Sequence, residues 1–415
     1  MTASAPLNQA WNYPLFEALY RRRSRRFGLG FEMPEGPFRY KSAHAPVPLS
    51  ELEEALLLGA GAGFSGLAFW DLPTPPAYPH PRLGGRTFPT TRPGGHTTLF
   101  WTNDDGLYVL DDKVDVTKLR EVQTEEDRGK LVDIYRAQRR TLGRGRLDIP
   151  RRSLPMSGHD LWDSNQPGST LFLPVCDVSA ALISLIAQFV DPALRRYAPE
   201  GGGMNVVDDR HGNRPAGTEP WLKSGLLNAE LVLPLSILER QACYYVFSEP
   251  AAICQNMFLA TEALGLGGWK HCGFLSLEIL QRMGFRLAGG EPFGNPIGLD
   301  GVVTASCPPW YPTMDAAVDA VFSRIHEAVN AVPHRMSNEQ HRAGATRLSA
   351  EGLACTKAVC NYIHETYGRF PGTTDAMHLM WVMQAHHIDT DYYDRFFGSE
   401  AYGQQHAAHM ATWHR

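Results

Sequence analysis

Apolar residues recur at helical spacing in several separated stretches of the chain. Leu15, Phe16 and Leu19 give Tyr13–Tyr20 one apolar face. Leu49, Leu52, Ala55, Leu56 and Leu58 do the same for Pro48–Leu58. There Glu51, Glu53 and Glu54 suit the positive N-terminal end, and Ser50 is the candidate cap. Ile253, Met257, Thr261 and Leu264 mark a long helix, with Pro250 suited to its first turn and Gly265 to its stop. Gln241–Phe247 reads as a strand feeding that helix. Thr97–Thr102 and Leu107–Leu110 read as a hairpin around an Asn103–Gly106 turn. Ser169–Val175 reads as a strand followed by the helix Ser179–Phe189. Asp315–Val329, Leu348–Tyr367 and Asp375–His387 read as further helices. This order predicts an α+β fold in which helices cover a mixed or antiparallel sheet.

At 415 residues and 43% hydrophobic, the chain has material for a large core with additions. The expected division is a core domain over 1–330, with a charged insert at about 112–168, and a helical, histidine-rich extension over 331–415. A net charge of −5 gives no general attraction to nucleic acid or anionic membrane. Seven cysteines, an odd number without a paired CxxC motif, point to a reducing compartment. No long apolar stretch precedes the basic run near the start, and neither Leu56–Trp70 nor Leu171–Val190 reads as a membrane span. The expectation is a soluble cytoplasmic protein.

Candidate chemistry begins at Arg21–Arg26, where arginine fills five of six positions. Such crowding is costly unless an anion neutralises it, and the planar guanidinium with a serine hydroxyl suits phosphate. A solvated basic turn and a nucleic-acid patch are the alternatives. Gly61–Gly66 spells GxGxxG, but a helix precedes it and a proline-rich stretch follows, so the dinucleotide reading fails. Arg86–His96 is a hydroxyl- and glycine-rich loop ahead of the hairpin. Leu266–Phe274 is small and glycine-rich, which lets backbone approach something flat. Seven of the sixteen histidines lie from His364 onward, and His406-x-x-His409 has the spacing of metal ligands on a helix. With no cysteine or HExxH beside them, they read as packing and hydrogen-bonding groups, and no metal ligand is assigned.

Taken together, the arginine motif after the first helix, the loop before the hairpin, and the helix ending Ala-Leu-Gly-Leu followed by Gly-Phe resemble the nitroreductase superfamily. The loop Arg86–His96 and the hairpin after it resemble the branch that includes the peptide azoline dehydrogenases. The resemblance implies that Arg22, Arg23, Ser24 and Arg26 hold the phosphate and ribityl chain of FMN. It implies that Thr90, Thr91 and Gly94 lie against the flavin. The backbone N–H of Gly273 would face the flavin N5, with Cys272 beside it. Catalysis in that family needs no obligatory protein acid or base, so no catalytic side chain is nominated. The family implies a homodimer with FMN at its interface and NADH or NADPH as electron donor. The organic acceptor would be a nitroaromatic or quinone, or a small substrate would be oxidised instead. Two alternatives stand beside this reading. One is a metal-binding protein or metalloenzyme using the C-terminal histidines on a flavin-free scaffold. The other is a protein that sequesters FMN without turnover.

Overall fold

The computed structural model describes residues 4–67, 84–90, 95–111, 121–150, 156–194, 201–290, 292–331 and 348–414. The helices used below are α1 (Leu15–Arg21), α2 (Glu51–Ala62), α3 (Val178–Val190), α4 (Leu235–Leu264), α5 (Met314–Ala331), α6 (Ala350–Tyr367) and α7 (Gln404–Trp413). The strands are β1 (Thr97–Thr102), β2 (Gly106–Leu110), β3 (Arg139–Arg144), β4 (Thr170–Asp177), β5 (Gly267–His271), β6 (Met377–Leu379) and β7 (Val382–His386). These seven strands form the principal sheet in the order β5-β7-β4-β1-β2-β3, with β6 also on β4. All its pairings are antiparallel. A smaller sheet pairs Leu227–Pro234 in parallel with Gly203–Asp208. The α+β expectation, with a mixed or antiparallel sheet under helices, therefore holds.

Successive residues of a strand point to opposite faces, and the sheet separates two apolar layers on that basis. Leu171, Leu173 and Val175 of β4 join Phe100 of β1 in a layer with α3, α6 and the first half of α4. Phe172 of β4 joins Leu99 and Trp101 of β1 in a layer with α2 and the second half of α4. Every residue of β1 and β4 is buried, as strands covered on both faces should be. The 30-residue α4 thus serves both layers.

Several expectations are corrected. Gln241–Phe247 is not a strand but part of α4, and Pro250 sits inside that helix rather than in its first turn. The run QACYYVF is apolar enough for either element, but its buried residues are Ala242 and Val246, one helical turn apart, while Tyr244 is exposed. Within Asp375–His387, the expected helix is replaced by β6 and β7. The tail is helical in part, through α6 and α7, yet it also supplies a strand inside the sheet, between β5 and β4. Within the charged stretch read as an insert at about 112–168, Arg139–Arg144 forms β3, which pairs with β2 at the sheet edge. By contrast, α2 begins as expected. Ser50 accepts from the Glu53 N–H, and the Glu53 carboxylate accepts from the Ser50 N–H at 2.6 Å.

Gly265 ends α4 in the left-handed conformation, with φ +79°. A Cβ there would lie 2.3 Å from the carbonyl oxygen of Gln405 on α7. Gly265→Ala should therefore cost at least about 1–2 kcal/mol for the handedness alone. Denaturant unfolding should show that loss, with more from the displaced α7.

Candidate functional site

The arginine run is divided among separate tasks. Arg21 pairs with Glu17 one turn back, at 2.5 Å. Arg25 is buried, bonded to Glu262 of α4 at 2.6 Å and to the carbonyl of Ala401 at 2.8 Å. Arg26 grips two carboxylates, Asp163 at 2.5 Å and Asp160 at 2.8 Å. Its guanidinium also stands 3.8 Å from the ring centre of Trp269 on β5. Arg22 and Arg23 have no carboxylate partner among the described residues. Arg22 lies over the Phe258 ring of α4 at 5.1 Å, and its Nε is buried without a hydrogen-bond partner. Arg23 donates to the carbonyls of Tyr20 and Arg22, and Ser24 is exposed.

The Arg26 carboxylates come from a short 3-10 turn, Gly158–Asp160, and the residues after it. Burial pushes the Asp163 carboxyl up to about 6, against the pull of Arg26. On the far face of Trp269 lies His271, stacked at 3.9 Å. The Trp269 Nε1 and both ring nitrogens of His271 are buried without hydrogen-bond partners among the described residues. Burial brings the His271 imidazole down to about 4, so it stays neutral. A Cβ on Gly273 would sit 2.6 Å from Asp160 Oδ2 and 3.0 Å from Ser157 Oγ. Gly273 thus makes room for this chain's own segment, and any role at a flavin ring would rest on its backbone N–H. Cys272 beside it is exposed. The small residues at Gly267 and Gly268 likewise admit the Arg25 carbonyl and the Gln384 carbonyl rather than open space.

Thr90 donates to Glu249 of α4 at 2.7 Å, and Glu249 also accepts from the His96 N–H and the Thr97 hydroxyl. Thr91 and Gly94 lie outside the described residues. Of the sequence candidates, Arg26 and Gly273 meet at Asp160, Arg22 and Thr90 contact α4, and Ser24 and Cys272 face outward. Sequence reasoning missed Asp160, Asp163, Trp269 and His271. The i, i+3 acids in His159-Asp160-Leu161-Trp162-Asp163 were the available signal for the first two.

A second constellation surrounds Glu53. The Nε2 atoms of His387, His409 and His414 lie 3.1, 2.5 and 3.3 Å from its Oε1. His387 follows β7, His409 belongs to α7, and His414 follows that helix. His406, the other half of the spaced pair, turns elsewhere; its Nε2 is 3.9 Å from Glu262.

No sequence-family profile matches the chain, and no curated protein matches it. Among solved structures, the chain is similar to one from Ralstonia eutropha described as a "putative nitroreductase". The identity is 15% and the TM-score 0.27, over 66% of this chain and 76% of the other. The two superpose too loosely for the likeness to bear on function. No helix among the described residues is long and apolar enough to cross a membrane.

Two outcomes follow from this geometry. Arg26→Ala strands two buried carboxylates and should lower stability by about 3 kcal/mol, measured by denaturant unfolding, whatever it does to a ligand. His271 protonates near pH 6.5 when unfolded but only near 4 when folded. Its contribution is complete above pH 6.5 and is lost as pH falls toward 4. His271→Phe should flatten the decline in stability across that window by on the order of 3 kcal/mol.

Proposed function

We propose that the chain is an FMN-dependent oxidoreductase in which Arg22, Arg23 and Ser24 take the cofactor phosphate. The observation that carries this is the unneutralised pair itself. Every other arginine of the run has a carboxylate, whereas Arg22 and Arg23 have none among the described residues, and Arg22 keeps a buried Nε unpartnered. Two adjacent guanidiniums with an exposed serine hydroxyl fit a dianionic phosphate. Arg26 has a different task, holding Asp160 and Asp163 so that the segment beside Gly273 stays in place.

Bound flavin would supply hydride transfer between NADH or NADPH and an organic acceptor of nitroaromatic or quinone type, or from a small substrate. The chain's own groups would bind and orient. Phe258 supports Arg22 from below, and Thr90 and Glu249 fix the loop ahead of β1. The neutral pair Trp269 and His271, with three unpartnered nitrogens, offers hydrogen-bonding groups close to Gly273. Cys272, Thr91 and Gly94 complete the proposed cofactor contacts. A homodimer suits this reading because α1, which leads into Arg22, exposes Leu15, Phe16 and Tyr20 by 61, 71 and 79%. A second copy covering that face would also close over the arginine pair.

The absorbance spectrum of the purified protein is the direct test. Oxidised-flavin bands, or their appearance on adding FMN, are expected. Arg22→Ala and Arg23→Ala should each weaken FMN binding by about 1.5–3 kcal/mol, the range for a hydrogen bond to a charged group. A folded protein that stays colourless with excess FMN would end the proposal. Flavin bound without nicotinamide oxidation by any acceptor would favour sequestration instead.

A further inference from the structure

The atoms around Glu53 cannot satisfy one another as neutral groups. His387 Nδ1 lies 2.8 Å from the carbonyl of Val47, and His409 Nδ1 lies 2.8 Å from the carbonyl of Leu264. A carbonyl only accepts, so both Nδ1 atoms carry protons. In a neutral ring the Nε2 is then a bare lone pair. Both bare nitrogens face Glu53 Oε1, itself an acceptor, at 3.1 and 2.5 Å. His414 Nε2 lies 3.3 Å from the same oxygen and 3.1 Å from His387 Nε2. The second oxygen of Glu53 is already taken by the Ser50 N–H. Three of the four groups are fully buried, and His414 closes the outer side with 21% of its side chain exposed.

We propose that Glu53, His387, His409 and His414 bind one divalent transition-metal ion, of which zinc fits best. Two bare imidazole nitrogens turned on a carboxylate oxygen, with a third imidazole nitrogen beside them, is an arrangement a cation resolves. The spacing agrees. Metal–ligand bonds of about 2.1 Å in a tetrahedron set ligand atoms about 3.4 Å apart. Here the four atoms all lie within 4.8 Å of one another. The orienting hydrogen bonds also agree, because a metal-bound imidazole usually donates its other N–H to a carbonyl or carboxylate. Three imidazoles and a carboxylate favour zinc, with iron, nickel and copper as competitors. Four protein ligands leave no open position, so the ion is structural. It fastens the end of β7 and α7 to the first turn of α2. The flavin proposal rests on other residues and can fail without affecting this one.

Elemental analysis of the full chain, purified without a polyhistidine tag, tests the site. About one equivalent of zinc or another first-row metal per chain is expected for a single four-ligand site. Glu53→Gln keeps a residue able to cap α2 but loses the ligand charge. His414→Ala removes the outermost ligand. Both should bind zinc at least about tenfold more weakly, while His364→Ala on α6 should bind as the native chain does. Chelation should lower the melting temperature of the native chain, and added zinc should restore it. Two results overturn the proposal. One is a metal-free native chain whose melting temperature ignores both chelator and zinc. The other is zinc bound equally well by native chain, Glu53→Gln and His414→Ala.

Discussion

Buried glutamates on α4 govern how the rest of the chain is placed. Glu239, Glu249 and Glu262 are each almost wholly inaccessible, and a carboxylate in that position must be met by donors. Glu239 receives the Gly372 N–H at 2.6 Å and Arg210 at 2.9 Å. Glu249 draws in Thr90, His96 and Thr97. Glu262 draws in Arg25 and, at 3.1 Å, Gln405. Segments far apart in sequence are thereby tied to one helix by charge, while the apolar layers hold the same helix without fixing its register. Breaking one such pair leaves a charge without a partner, which costs far more than the pair itself contributes.

Much of the fold was legible because local pattern and burial agree. The hairpin of β1 and β2, the strand–helix pair β4 and α3, the capped start of α2 and the glycine stop of α4 all follow from periodicity and end signals. Pattern failed where tertiary context overrides it. The first half of α4 carries Tyr244, Tyr245, Val246 and Phe247 in succession, which mimics a strand. Residues 377–386 are two short strands without clean alternation, and only their place in the sheet makes them so. The site was less legible still. Arg26 reads as a phosphate ligand until Asp160 and Asp163 come beside it from more than a hundred residues away. Glu53 reads as a capping residue, which it is. Its three histidines are separated from it by 334 to 361 positions, and no spacing rule spans such a distance.

The last two turns of α4 gather most of the candidate chemistry. Phe258 and Glu262 are one turn apart on the same face, and they receive Arg22 and Arg25 respectively. Thr261 and Glu262 supply the carbonyls for the closing turn at Gly265. The Leu264 carbonyl orients His409. The proposed phosphate site and the proposed metal site therefore share a support without sharing a residue. Arg25 contributes to both neighbourhoods, since its own carbonyl meets His386 at 3.0 Å, next to His387.

The place of β7 has a consequence for synthesis. It lies between β5 and β4, so the principal sheet remains in two pieces until residue 386 has left the ribosome. Through nearly all of translation, β4 shows an open flank at Leu171 and Phe172, where β7 will later bond. An unpaired apolar strand edge recruits other strands indiscriminately. Newly made chain must therefore wait with its interior unsealed, and premature termination anywhere before β7 yields a product that no amount of time will let close.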